Sequence, residues 1–165
     1  MSQEISKKLI KNKQYVIYAV KTQEFNRAAA SLITTEMYFR GSFHRLMEYG
    51  AWVVYWLLWP HKLAGLSVGL AQIQLRHWYQ FGFICSLSPT WTHLRIITDP
   101  TSNYTACEKY LVENGHRPDL PITDLARLYT GRARKYYVSI LTKAETMWKK
   151  SPNISFNRDA LKRAR

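Results

Sequence analysis

The sequence predicts a mostly α-helical protein built as a single domain. Apolar residues recur at helical spacing along the longer segments, and no run alternates apolar and polar residues as a strand ladder would. No internal repeat is visible. The 165 residues, 47% of them hydrophobic, are enough to bury a core. We expect roughly six or seven helices around that core.

The first regular helix is expected over residues 24–39. Its apolar residues lie at i, i+4 and i+7/8, and Glu36 falls on the same face near the helix end. Residues 1–14, which precede it, are polar and basic and predict at most a frayed helix. Residues 15–20 are a short apolar run of ambiguous type.

The next two helices are expected over residues 43–59 and 70–81. Ser42 can cap the first of them, and Pro60 ends it. The apolar run at 51–60 is too short to span a bilayer, which needs about 20 residues, so we expect a buried core helix there.

Further helices are expected in the second half of the chain. They cover residues 103–113, 124–129 and 134–150. Asp99 and the residues after it form a loop and N-cap before the first of these helices, and Thr123 caps the second. Residues 92–97 are short and contain β-branched residues, so a strand and a helix both stay open.

The charge of the chain indicates a polyanionic partner. Lys and Arg number 24 against 11 Asp and Glu, which gives a net charge of +13 and a pI ≈ 9.9. Such a field concentrates nucleic acid, anionic lipid or an anionic wall polymer at the surface. Basic residues are concentrated at both ends, so we divide the chain into a basic N-terminal extension (1–23), a helical domain (24–150) and a basic mobile tail (151–165).

The cysteines and histidines give no sign of a cofactor or metal. Cys85 and Cys107 have apolar neighbours, which predicts reduced core residues, and two cysteines make no disulfide framework. The histidines show no metal-ligand spacing. We therefore expect no cofactor.

Two glutamates on apolar helices are candidates for a general acid. Cleaving a glycosidic bond needs a carboxyl group that is still protonated near neutral pH, and apolar burial raises a carboxyl pKa. Glu36 has apolar residues one turn before it, with a pair to Arg40 at i+4 as the alternative role. Glu48 is the rival acid, with an ion pair to Arg45, to His44 or to a basic group elsewhere in the fold as its alternative.

A small turn beyond these helices is suited to contact a polymer. It reads SVGLAQI over residues 67–73. Gly69 lets a ligand approach the backbone closely, and the amide of Gln72 can donate and accept hydrogen bonds to a sugar. A cleft that combines this turn with an acid on a preceding helix is equipped to cut a glycosidic bond.

Three motifs, in this order along the chain, resemble those of lytic transglycosylases and goose-type lysozymes of the lysozyme-like superfamily. They are ITTE over residues 33–36, SVGLAQI over 67–73 and LYTG over 128–131. The resemblance covers about residues 24–150. It implies a single lysozyme-like helical domain, with an extra helix between the catalytic glutamate and the Gly-Leu-x-Gln turn.

The resemblance also implies roles for particular residues. These are Glu36 as the catalytic acid and base, Ser67, Gly69 and Gln72 as substrate-binding residues, and Tyr129 as a phenol beside the acid. Gly69 follows Glu36 by 33 positions, which is longer than the usual gap of the family, and Glu48 lies closer to the usual position. The choice between the two acids therefore stays open. Thr130 stands where Asn is common.

The activity that follows is cleavage of peptidoglycan between MurNAc and GlcNAc by a lytic transglycosylase or muramidase, in a bacteriolytic cell-wall lysin or effector. No Asp closely follows the Gly69 turn, which favours chemistry with one glutamate, whereas Glu48 as a second carboxylate would favour hydrolysis. The alternative is a basic helical protein that binds nucleic acid or a membrane surface without catalysis. Residues 1–14 lack the apolar centre of a signal peptide, so we expect synthesis in the cytoplasm and action at the wall or periplasm after release or export by another system.

Overall fold

A computed structural model of the chain describes residues 2–20 and 26–150. Within these ranges the helices are α1 (Ser2–Val20), α2 (Arg27–Phe39), α3 (Ser42–Leu58), α4 (Leu75–Gln80), α5 (Trp91–Thr98), α6 (Pro100–Glu113), α7 (Ile122–Thr130) and α8 (Lys135–Lys149). A 3₁₀ helix (Pro60–Gly65) and the strands β1 (Ser67–Val68) and β2 (Ile73–Gln74) lie between α3 and α4. The predicted mostly-α class is confirmed. The tail predicted over 151–165 lies outside the described residues.

Helix α2 is the centre of the fold. It packs against α1, α6 and α8, and all its residues from position 29 to 36 are buried. Asn26 caps its start, since the side chain accepts a hydrogen bond from Ala29 N at 3.1 Å. Trp148 of α8 donates Nε1–H to Thr34 Oγ1 at 3.1 Å. The hydroxyl of Thr34, in the second half of this buried helix, is therefore paired within the core.

Helix α1 is more regular than the sequence predicts. The expectation of a frayed helix over residues 1–14 is wrong, because Ile5 and Leu9 are buried with Ile140 and Ala144 of α8. The ambiguous run that follows continues the same helix, and its Val16 joins the main core. The limits of the predicted N-terminal extension stay a prediction, but α1 packs on α2 and α6.

Helix α3 is the extra helix predicted over residues 43–59. Gly41 occupies the N-cap position and Ser42 is the first helical residue, so the predicted Ser42 cap is wrong. Trp52 is fully buried and donates Nε1–H to the Leu87 carbonyl at 2.8 Å. The expected burial of the run at 51–60 is otherwise wrong, because most of this helix is exposed.

The helix predicted over residues 70–81 is wrong for its first part, which forms a β-hairpin, and confirmed for residues 75–80, which form α4. Strands β1 and β2 pair antiparallel around a turn in which Gly69 has φ +82° and Gln72 has φ +54°. An α-helix cannot contain these left-handed conformations. The buried Asn103 holds the turn from α6 by accepting a hydrogen bond from Ala71 N at 3.1 Å.

Helices α5 and α6 each begin with a side-chain N-cap. The open choice for residues 92–97 resolves as α5, with Thr90 accepting a hydrogen bond from His93 N at 3.2 Å. The Asp99 cap is confirmed, since its side chain accepts from Ser102 N at 2.7 Å, although α6 begins earlier than predicted, at Pro100.

Helices α7 and α8 complete the core. The predicted cap at Thr123 is wrong, because α7 already begins at Ile122 and has no side-chain cap. Gly131, with φ +73°, ends α7 in the left-handed conformation that glycine tolerates. Helix α8 matches its predicted range to within one residue at each end.

Both cysteines are free thiols, but their positions differ. Cys107 is buried in the core as expected. The expectation of a core position is wrong for Cys85, which is exposed, with its Sγ 3.3 Å from Nε2 of His93. Among the described residues, no helix combines the length and apolar character that crossing a membrane requires.

We expect Gly69→Ala to destabilise the fold by about 2–4 kcal/mol. A Cβ at this position would lie 2.6 Å from Asn103 Oδ1 and 2.9 Å from the Ile97 carbonyl oxygen. Gly50→Ala is the control, since nothing lies within 4 Å of its Cβ, and an alanine in helix α3 should stabilise by about 0.5–1 kcal/mol. Urea unfolding of both variants measures the difference, and equal midpoints would contradict the close approach at Gly69.

Candidate active site

Glu36 lies near the C-terminal end of α2, with only 7% of its surface exposed. Tyr137 of α8 donates its hydroxyl to Glu36 Oε1 at 2.7 Å. The guanidinium of Arg40, one turn later, is more distant, with its Nε 4.0 Å from Glu36 Oε2. Glu36 is thus held between α2 and α8 by a neutral phenol, and its ion pair with Arg40 is at the limit of contact.

The protonated form of Glu36 is more favoured than that of an exposed glutamate. Burial raises the pKa of this carboxyl above its ordinary value, and the charge of Glu48 acts in the same direction. The hydrogen bond from Tyr137 and the charges of Arg40 and Arg45 oppose the rise but do not cancel it. Burial and the Glu36 charge also raise the pKa of Tyr137 well above its ordinary value, so the phenol remains a neutral donor.

Glu48 has a different environment on α3. Its Oε1 accepts a hydrogen bond from Arg40 Nη1 at 2.8 Å, and its Oε2 accepts one from Gln72 Nε2 at 2.8 Å. The predicted ion pair with Arg45 or His44 is wrong, and the other alternative, a basic partner elsewhere in the fold, is confirmed with Arg40. Both oxygens of Glu48 are occupied by donors, one of them charged.

The SVGLAQI segment forms the hairpin and its turn. Gln72 Nε2 also donates to the Gly69 carbonyl at 2.8 Å, and Arg45 Nη1 donates to the same carbonyl at 2.9 Å. Asn103 supports the turn from the opposite side, because its Nδ2 donates to the Ile97 carbonyl at 2.6 Å while its Oδ1 accepts from Ala71 N. The turn is therefore held by side chains of α3 and α6.

Tyr129, near the end of α7, belongs to the same region. Its hydroxyl donates to the Ala71 carbonyl, and its ring meets Tyr110 edge-on at 5.5 Å between centroids. Burial raises the pKa of Tyr129 well above its ordinary value, and the charge of Glu36 adds to this rise. The hydrogen bond to Glu36, however, comes from Tyr137, which the sequence did not single out.

A cavity of about 420 Å³ opens between these elements. Its walls contain the acid, polar side chains of the hairpin and the end of α7, and these residues are Glu36, Arg40, Ser67, Gln72, Ile73, Gln74, Arg76, Tyr110, Tyr129, Thr130 and Gly131. Glu48 and Gly69 do not line the cavity. Both accept a hydrogen bond from the lining residue Gln72, and Gly69 accepts a second one from Arg45. Among the described residues, Gln72 Oε1 and Gln74 Oε1 are buried without a hydrogen-bond partner.

Sequence reasoning missed two residues of this arrangement, Tyr137 and Asn103, and the contact between Arg40 and Glu48. Tyr137 and Asn103 lie inside helices that predict only packing, and their contacts cross 101 and 32 sequence positions respectively. Arg40 was considered only as a partner of Glu36. A buried Asn is the one signal that could have been noticed, since it must satisfy its amide.

No protein-family model, curated protein or solved structure matches this chain.

We expect Tyr137→Phe to raise the pKa of Glu36 further. The lost hydrogen bond is one of the interactions that favour the carboxylate. The pKa is read from the ¹³C shift of the Glu36 carboxyl carbon during a pH titration. Tyr136→Phe is the control, because this exposed neighbour contacts the Tyr38 hydroxyl instead, at 3.0 Å. An unchanged Glu36 titration in Tyr137→Phe would contradict the assigned contact.

We expect Glu36→Gln to be more stable than the wild type at neutral and higher pH. The folded pKa of Glu36 is raised above its unfolded value of 4.5, so the wild type has this contribution in full below about pH 4.5 and loses it as pH rises through the folded pKa. The amide of the Glu36→Gln variant does not ionise, so its contribution to stability does not change with pH. Urea unfolding at about pH 4 and about pH 8 should show equal stability at the lower pH and an advantage for the variant at the higher pH.

Glu113→Gln makes the same chemical change at an exposed position at the end of α6. It should change stability by less than about 0.5 kcal/mol at both pH values. A Glu36→Gln variant that is less stable than the wild type at the higher pH would mean that the carboxylate is well stabilised in the fold.

Proposed function

We propose that this protein cleaves peptidoglycan glycan strands between MurNAc and GlcNAc, with Glu36 as the general acid and base. The observation that carries the proposal is the state of Glu36. It lines the cavity, it is buried, and its pKa is raised. A carboxylic acid in this state can protonate a glycosidic oxygen near neutral pH.

The environments of the two glutamates favour Glu36 as the acid. A general acid needs a proton and access to the substrate. Glu36 has one neutral donor on Oε1 and lines the cavity, whereas both oxygens of Glu48 accept hydrogen bonds from Arg40 and Gln72. We assign Glu48 a positioning role, in which it orients the Gln72 side chain in the cavity wall.

The cavity wall fits a polyhydroxylated substrate. Ser67, Gln72, Gln74 and Thr130 line it with hydroxyl and amide groups. The amide oxygens of Gln72 and Gln74 lack donors, and buried acceptors of this kind are costly unless a partner is supplied. Sugar hydroxyls are donors of the required type. The net charge of +13 would also concentrate an anionic wall polymer near the cavity.

The number of carboxylates in the cavity wall favours one reaction class over the other. Within the described residues, Glu36 is the only carboxylate that lines this cavity. In the proposed lytic reaction, Glu36 gives its proton to the leaving glycosidic oxygen as the bond to C1 breaks. The resulting carboxylate then takes the proton of a hydroxyl on the same sugar, whose oxygen bonds to C1 and closes an anhydro ring. A hydrolase would need a second group to activate water.

We include in this proposal the resemblance to lytic transglycosylases and goose-type lysozymes that the sequence predicts. The longer gap between Glu36 and Gly69 is occupied by α3, which contributes Glu48 and Arg45 to the support of the turn. The hydroxyl of Tyr129 contacts the turn directly, at the Ala71 carbonyl, so this contact does not involve Thr130, which stands where Asn is common in the family. The action as a wall lysin or effector, and export by another system, are proposals that follow from this substrate.

We expect the wild type to release glycan fragments from purified peptidoglycan, and Glu36→Gln to lose at least about 10²-fold in rate. Mass spectrometry of the products distinguishes the reactions, because an anhydro end is lighter by one water than a reducing end. Glu48→Gln should keep measurable activity with a reduced rate, since it weakens the hold on Gln72 without removing the acid.

Lys143→Gln is a control on the exposed face of α8, and it should leave the rate unchanged. Loss of activity in Glu48→Gln with retention in Glu36→Gln would reverse the assignment of the acid. A folded wild type that releases nothing from several wall types would overturn the proposal. The alternative of a non-catalytic protein that binds nucleic acid or a membrane surface would then be favoured by the basic charge.

A further inference from the structure

The outer face of α3 is a continuous apolar stripe. The stripe consists of Phe43, Leu46, Met47, Gly50, Val53, Val54, Leu57 and Leu58, all of them exposed. The side chains beyond glycine are between 40% and 71% exposed. At 3.6 residues per turn, these eight positions fall within roughly 140° of the helix circumference. An apolar stripe of this width normally faces a core.

The side of α3 opposite the stripe faces the protein. Arg45 and Glu48 contact the hairpin, and the fully buried Trp52 anchors the middle of α3. Tyr49 and Tyr55 on the inner side also pack on the core, so α3 is apolar on both sides and only its inner side is covered. A contiguous exposed apolar surface of this kind marks an interaction site.

The charges around the stripe favour an anionic partner. Glu48 is the only Asp or Glu between Glu36 and Asp99, and its carboxylate points inward to Arg40 and Gln72. The whole chain carries a net charge of +13, and the exposed Lys62 follows α3 closely, whereas Arg40 and Arg45 point inward to Glu48 and the Gly69 carbonyl. At the C-terminal end of α3, the Nζ of Lys62 lies 5.6 Å from the centroid of the Trp59 ring.

We propose that α3 is a membrane-docking helix, whose apolar stripe inserts into the interface of an anionic lipid bilayer. An interfacial helix of this type pairs buried apolar area with basic residues that attract anionic headgroups. Trp56 and Trp59, which are 46% and 41% exposed, are the residue type found at the depth of the headgroups. Helix α3 has 17 residues and would lie in the plane of the membrane rather than cross it.

A second copy of the chain fits the stripe less well. Two copies that met through α3 would each carry a net charge of +13, and no outward carboxylate between positions 36 and 99 would offset it. Like charges across an interface disfavour association. An anionic bilayer satisfies both the apolar and the electrostatic features of this face.

The inference is independent of the proposed reaction, since no residue of the stripe lines the cavity that contains Glu36. Its consequence for the site is one of orientation. Glu48 and Arg45 on the inner side of α3 support the cavity wall, so docking would hold the cavity next to the membrane surface.

Vesicle co-sedimentation of the full chain tests the docking. We expect binding to vesicles of phosphatidylcholine mixed with phosphatidylglycerol, a blue shift of tryptophan emission, and weaker binding to phosphatidylcholine alone or at high salt. Leu46→Ser with Leu57→Ser should lower the partition coefficient at least about tenfold, because both side chains leave the apolar phase. Both residues are more than 60% exposed, so the fold should be retained, and circular dichroism checks this.

Val112→Ser is the matched control, since this α6 side chain is 73% exposed outside the stripe and should bind vesicles like the wild type. Glu36→Gln should also bind like the wild type, which separates docking from catalysis. Absence of wild-type binding to the anionic vesicles overturns the proposal. So does binding that the paired leucine variant leaves intact, because the basic ends would then be sufficient. A dimer in sedimentation equilibrium that the leucine variant dissociates, without vesicle binding, would assign the stripe to a second copy.

Discussion

The ion pair between Arg40 and Glu48 joins the elements that form the cavity. Arg40 follows the last residue of α2, and Glu48 lies in the middle of α3. The second oxygen of Glu48 accepts a hydrogen bond from Gln72 and so reaches the hairpin turn. Removing a carboxylate from water is costly unless its oxygens are compensated, and here each has a donor. Loss of this pair would remove the contact that connects the end of α2 through α3 to the turn, which Asn103 and Tyr129 also hold.

This arrangement separates the chemistry of two neighbouring carboxylates. Arg40 lies close to Glu48, at 2.8 Å, but its Nε is 4.0 Å from Glu36. The cation is therefore committed mainly to one of them. Glu36 is left with the hydroxyl of Tyr137 and a buried position, and these conditions raise its pKa. Environment, rather than residue type, distinguishes the proposed proton donor from the carboxylate that pairs with Arg40.

The same pair explains the unusual orientation of α3. A helix that turns Arg45 and Glu48 toward the protein must turn its opposite face outward. In this sequence the opposite face is apolar from Phe43 to Leu58. The rotation of α3 about its own axis therefore decides two things together: which side chains support the cavity and which apolar side chains are exposed. A protein that supports its proposed site in this way also presents a surface suited to a lipid interface.

Local sequence determined the helical class, the break after α3 at Pro60, the Asp99 cap and the end of α7 at Gly131, because these depend on helical periodicity and on backbone preferences of a few adjacent residues. It also singled out Glu36 as an acid on an apolar helix face. Only the tertiary structure decided that residues 67–74 form a hairpin, that Tyr137 donates to Glu36, and that Arg40 pairs with Glu48. Each of these depends on side chains from separate elements that meet only when the chain packs, and the hydrogen bonds that they then form outweigh local helical preference.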